Sequence, residues 1–181
     1  MADWKFGLVL PHFGQHAWVE KCPVSPIPIW CGGSTPAACR RVVAFGDGWL
    51  PARITLATFT KRMTYLREVS KEAGHPLMTA GVMPLTSIAE DRETALGHVN
   101  VKSLISEVNK NSTWVKPAGG IFSTLDDIRG LVLAGTPEDI IRGTRAYRTA
   151  GADLIIFDLR FRSSDWHQQI DLLGKEVLPA L

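Results

Sequence analysis

Gly32-Gly33-Ser34-Thr35 is the stretch of this 181-residue sequence best suited to chemistry. It follows a short apolar run, Ile27-Pro28-Ile29-Trp30-Cys31, and precedes Pro36. Glycine lets the backbone approach a ligand closely, and the first turn of a helix aims unpaired N–H groups at it. A phosphate suits such a place, and Ser34 and Thr35 add hydroxyl donors; the same four residues also make an ordinary tight turn with a capping residue. Asp47-Gly48-Trp49 offers an acid and an aromatic at a short strand's end, where ligands of parallel α/β proteins gather. Trp49 equally suits the core. His12 and His16 follow the apolar run 6–10 and could supply acid–base or substrate-orienting groups, or simply be solvated. Asp158 and Arg160 end the run 154–157 and read as a structural salt bridge, while His75, His98 and His167 have no partner pattern.

Cys22, Cys31 and Cys39 show no CxxC or Cys/His ligand spacing, so no metal site is expected, and free thiols fit a reducing, cytoplasmic setting. Twenty basic and 18 acidic residues leave a net charge of +2 with no Lys/Arg stripe, which argues against a nucleic-acid partner. No run reaches the length of a membrane span, and the N-terminus lacks the pattern of a signal peptide. The hydrophobic fraction, 45%, is ordinary for one globular domain.

The elements that would position these residues alternate. Residues 6–10 read as a buried strand and 27–31 as another. Pro23, Pro26 and Pro28 make the segment between them an extended connector, because proline removes an amide donor. Ser34 or Thr35 caps a helix with Pro36 in its first turn, Ala38, Val42 and Phe45 on one face and Gly46 at C′. A helix over 58–73 places Phe59, Met63, Leu66 and Ala73 inside and Lys61, Arg62, Arg67 and Glu68 outside, with Gly74 as its stop. A strand over 77–85, a longer helix over 90–108, a loop over 109–120 and short helical pieces over 122–133 follow. Thr136-Pro137-Glu138-Asp139 opens a helix that runs to Ala150 and stops at Gly151. The run 154–157 suits a parallel sheet, and a last helix carries Trp166, Ile170, Leu173 and Val177 on one side. Strands alternating with helices predict an α/β fold of mostly parallel strands.

Three blocks resemble the luciferase-like superfamily of flavin-dependent monooxygenases and deazaflavin (coenzyme F420)-dependent oxidoreductases. They are Phe6-Gly7-Leu8-Val9-Leu10-Pro11-His12-Phe13-Gly14; Pro28-Ile29-Trp30-Cys31-Gly32-Gly33-Ser34-Thr35-Pro36-Ala37-Ala38 continuing into Phe45-Gly46-Asp47-Gly48-Trp49-Leu50-Pro51; and Ala134-Gly135-Thr136-Pro137-Glu138-Asp139, through Ala150-Gly151-Ala152-Asp153, to Phe157-Asp158-Leu159-Arg160 and Glu176-Val177-Leu178-Pro179. The resemblance implies a (β/α)₈ barrel with the cofactor, FMN or F420, at the strands' C-terminal ends. Gly32, Gly33, Ser34 and Thr35 would contact its phosphate, Asp47, Gly48 and Trp49 would line the neighbouring wall, and His12 with Phe13 would lie towards the ring and substrate, His12 being the catalytic candidate. A full barrel takes about 250 residues. Only about five strands can be placed here, and the central strands are missing between Gly14 and Ser25. The expectation is therefore an incomplete, TIM-barrel-like single domain over 1–181: first strand within 1–14, proline-rich connector 15–26, C-terminal half of the barrel 27–181. The implied activity is oxidation or reduction of a small organic substrate, with a homodimer covering the open sheet edges. The alternative is an inactive relative that binds the flavin phosphate or is a structural remnant.

Overall fold

β2 (Trp30–Gly32), α1 (Pro36–Phe45), β3 (Gly48–Leu50), α2 (Leu56–Glu72) and β4 (Thr79–Val82) form two successive strand–helix–strand units, with the three strands parallel neighbours. The computed structural model describes residues 5–6, 28–160 and 162–181. The strand expected over 6–10 meets β1 (Lys5–Phe6) only at Phe6; its remainder, with His12, Phe13, His16 and the connector 15–26, lies outside the described residues.

Thr35 caps α1 in extended backbone, its Oγ1 accepting the Ala38 N–H at 3.2 Å, and Pro36 follows in the first turn. Phe45 is 74% exposed, so it leaves the face that Ala38, Cys39, Val42 and Val43 bury. Gly46 is extended, with φ −120°, rather than left-handed. A Cβ there would lie 3.0 Å from Cys31 Sγ, so close packing is the reason for glycine. α2 starts at Leu56, earlier than expected, because Thr55 is its cap, with Oγ1 accepting the Thr58 N–H at 3.3 Å. Phe59, Met63 and Leu66 are fully buried as expected, but Ala73 is exposed and Arg62 is inside.

The strand expected over 77–85 is two strands, β4 and β5 (Leu85–Ile88), parted at Met83-Pro84 because proline gives no donor to a ladder. β4 lies between β3 and β7 (Leu154–Ile155), and β5 pairs with β6 (Val132–Gly135). Every described pairing between strands is parallel, and the larger sheet runs β1-β7-β4-β3-β2. Past β7, the Asp158 N–H donates to Pro84 C=O at 3.1 Å and the Thr86 N–H to Asp158 C=O at 2.9 Å, which joins the two sheets. The described strands do not close into a barrel.

The expected helix over 90–108 breaks into α3 (Arg92–Gly97) and α4 (Val101–Asn109), where Asn100 Oδ1 accepts the Ser103 N–H at 3.0 Å and starts the second helix. β6 is the strand that 122–133 did not announce; turns precede it, and its side chains are buried by α5 (Pro137–Ala150) and by the cluster of Phe122, Ile128 and Leu131. In those turns Asp127 accepts from Ser123 N–H and Oγ and from Thr124 N–H at 2.8 to 2.9 Å, and these bonds hold its carboxyl down to about 2. A depressed folded pKa contributes stability above the unfolded value, and that contribution is lost as pH falls. Acid titration is therefore expected to open this turn between about pH 4 and 2. Carboxyl chemical shifts check this, and an Asp127 midpoint near 4 would refute it.

α5 follows expectation: the Thr136 N–H donates to Asp139 Oδ2 at 3.2 Å, and Gly151 is left-handed, φ 104°. α6 (Trp166–Leu172) continues as a wider turn over Leu173–Val177 and a tight one over Leu178–Ala180. It is rotated from the expected face: Trp166 and Ile170 are half exposed, and Gln169, Leu173 and Val177 are buried. The cause is polar. Gln169 Nε2 donates to Arg162 C=O at 3.1 Å, and the buried Arg162 pairs with Asp165 and donates to Ser87 Oγ at 2.9 Å. No helix among the described residues is long and apolar enough to cross a membrane.

Candidate functional site

Among the described residues β2 is the last strand of its sheet, and the Gly32–Thr35 turn lies at its C-terminal end. Gly33 has φ +99°, a backbone conformation that favours glycine, and a Cβ there would press against the Ala38 side chain, 3.1 Å from its Cβ. The Gly33 C=O accepts from Trp49 Nε1 at 2.9 Å, and the Gly32 C=O from Arg41 Nη2 at 3.0 Å. Both bonds occupy carbonyls of the turn. Among the described residues, the amide N–H groups of Ser34 and Thr35 have no hydrogen-bond partner. The Thr35 hydroxyl is used by the cap, and the Ser34 hydroxyl accepts from Trp114 Nε1 at 2.9 Å.

Two arginines that sequence reasoning did not single out complete the arrangement. Arg41, one helical turn into α1, lays an exposed guanidinium beside the glycines. Its helical position next to a glycine turn was the available signal. Arg62, only 5% exposed, donates from Nε to Ser34 C=O at 2.8 Å and from Nη2 to Thr113 C=O at 2.6 Å. Among the described residues it makes no ion pair, so protein carbonyls solvate its charge without neutralising it. Nothing in the local pattern of α2 marks it, because charged neighbours suggested a solvated face. Cys39, on the buried side of α1, has its thiol pushed up by burial, against the pull of nearby Arg62.

The other residues expected here divide between two faces of the sheet. Trp49 is fully buried on the helix side, stacked on Phe59 at 5.4 Å and 11°, and Phe59 meets Tyr147 edge-on at 5.3 Å. It therefore reaches the turn through its N–H alone. Gly48 is buried beneath the Trp30 ring, 2.5 Å from where its Cβ would be. Asp47 is exposed, and its Oδ2 accepts the Ile29 N–H at 2.8 Å, fixing the chain where it enters β2. Asp158 and Arg160 form the expected ion pair at 2.7 Å; burial alone would raise the Asp158 carboxyl, but the Arg160 bonds hold it below its ordinary value. His12 lies outside the described residues.

The turn can thus hold an anion by open backbone N–H groups, one hydroxyl and a flanking guanidinium. A family model described as luciferase-like monooxygenase matches residues 9–154. No curated protein matches the chain. Among solved structures, the chain resembles a coenzyme F420 dependent tetrahydromethanopterin reductase from Methanopyrus kandleri, at 18% identity and TM-score 0.62, covering 84% of this chain and 50% of that one. It resembles an F420-dependent secondary alcohol dehydrogenase in complex with an F420-acetone adduct, at 18% identity and TM-score 0.67, covering 91% and 52%. It also resembles the oxygenating constituent of 3,6-diketocamphane monooxygenase from the CAM plasmid of Pseudomonas putida in complex with FMN, at 16% identity and TM-score 0.59, covering 83% and 47%. At these identities the likeness is one of fold, and the chain spans about half the length of these structures.

Proposed function

The chain belongs to the luciferase-like monooxygenase family, and from that premise we propose that it holds the phosphate of FMN or coenzyme F420 at Gly32, Gly33, Ser34 and Thr35 and acts as an oxidoreductase on a small organic substrate. The observation that carries this reading is the pair of open amide groups at Ser34 and Thr35 beside the Arg41 guanidinium, in a turn whose left-handed backbone at Gly33 favours glycine. When bound, the cofactor supplies the redox chemistry. The chain's own residues bind and orient it. Ser34 and Thr35 amides donate to phosphate oxygens, Arg41 offsets their charge, and Trp49 occupies the Gly33 carbonyl. Gly48 with Trp30 forms the adjoining wall, Asp47 steadies the start of β2, and His12 is assigned the acid–base role.

FMN and F420, added separately to the purified protein, are expected to bind saturably, as read by fluorescence. Arg41→Ala is expected to weaken binding about tenfold, the worth of one charge-assisted hydrogen bond. Absence of saturable binding by either cofactor would sink the reading. A second reading, phosphate binding without turnover, is favoured by the described strands, which do not close into a barrel. Binding without NADH-linked oxygen consumption or F420-linked hydride transfer would select it.

The same edge supports a homodimer as the partner arrangement. Ile29, Trp30 and Phe45 are 57%, 38% and 74% exposed at β2, whose outer edge has no strand partner among the described residues, an apolar edge of the kind that proteins cover. Sedimentation at micromolar concentration should give twice the chain mass, and a stable monomer would refute it.

A further inference from the structure

Ser34 is gripped by groups distant in sequence. Trp114 Nε1 donates to its Oγ at 2.9 Å, and Arg62 donates to its C=O while binding Thr113 C=O. The Val115 N–H donates to Thr58 Oγ1 at 3.1 Å, so the backbone on both sides of Trp114 is tied to α2. A serine hydroxyl can accept and donate at once. With one lone pair taken by the indole, its own hydrogen is restricted to the remaining positions and is free for another acceptor. We propose that Trp114 is a positioning residue of the anion site: it sets the Ser34 hydroxyl to donate to a phosphate oxygen, and so brings the loop after α4 into the binding event. This rests on reading the turn as a phosphate site. Trp114 is half-buried between the two hydrophobic clusters, so a change in its hydrogen bond is felt by both.

The test uses the full chain, ¹⁵N-labelled and titrated with inorganic phosphate. The Trp114 indole N–H resonance, assigned by its loss in Trp114→Phe, is expected to move with the same midpoint as binding, and to stay still in Ser34→Ala at equal saturation. In affinity, Ser34→Ala and Trp114→Phe are each expected to cost about tenfold, and the double variant also about tenfold, because both remove one interaction. A motionless indole resonance in the saturated wild type, or a double variant about a hundredfold weaker, overturns the proposal while leaving the phosphate site standing. Failure of the wild type to bind phosphate overturns both. Should Trp114→Phe fold poorly, the Trp114 and Trp49 indoles are assigned by through-bond correlation instead: the Trp49 indole N–H, which also holds the turn, is expected to respond in wild type and in Ser34→Ala, the Trp114 indole in wild type alone, and equal responses of the two indoles in both proteins overturn the proposal.

Discussion

Trp49→Ala is expected to lower stability by about 3–5 kcal/mol, the usual cost of emptying a fully buried aromatic site. For a chain of this length that is a fall in melting temperature on the order of 10 °C. The side chain is fully buried, stacks on Phe59, and through that ring reaches Tyr147, whose hydroxyl donates to Ile54 C=O at 2.7 Å. Removing it therefore loosens α2, α5 and the chain leading into α2 together. Trp49→Phe separates the two roles of the residue. It keeps most of the stacking, and is expected to cost less than about 1.5 kcal/mol. It also frees the Gly33 carbonyl and is expected to weaken phosphate or FMN binding severalfold. Calorimetry and a binding titration check both. Equal melting of Trp49→Ala and wild type would refute the packing argument, and unaltered affinity in Trp49→Phe would refute the link to the turn.

Arg62→Met carries the second large effect. Methionine retains much of the apolar stem, so the change removes mainly the guanidinium. Two carbonyls, of Ser34 and Thr113, then lose their donors, at about 1–3 kcal/mol for each that stays dry. Against this stands the relief of burying a charge without a carboxylate partner. The two terms partly cancel, and a net loss of about 1–3 kcal/mol is expected. The sharper consequence concerns ligand linkage. An anion at the turn would offset the buried charge, so phosphate is expected to raise the wild-type melting temperature by several degrees at saturating concentration and to raise that of Arg62→Met much less. The same rise in both proteins would mean that Arg62 is structural only.

Several features of this protein are determined locally and could be read without coordinates. Thr136-Pro137 and Gly151 bound α5, and Thr35-Pro36 starts α1, because caps, first-turn prolines and left-handed glycines act within a few residues. The glycine turn and the anion site proposed for it are local in the same way. What periodicity records is that a face is apolar, and not which surface will cover it. It therefore missed β6, whose burial depends on α5 and the turn cluster, and it misjudged Trp166 and Ile170, which the Arg162–Gln169 contacts turn outward. Pro84 was visible, but that it parts a long strand between two sheets depends on where β6 and β7 lie.

The site divides along the same line. Gly32, Gly33, Ser34 and Thr35 were legible as a turn with exposed donors, and the family resemblance placed a phosphate there. That Trp49 faces the helices while Trp30 covers Gly48, and that Arg62 and Trp114 reach Ser34 across 28 and 80 residues of sequence, was decided only by the fold. The physical reason is that a buried arginine is tolerated only where carbonyls happen to converge, and convergence is a property of packed elements rather than of spacing along a chain.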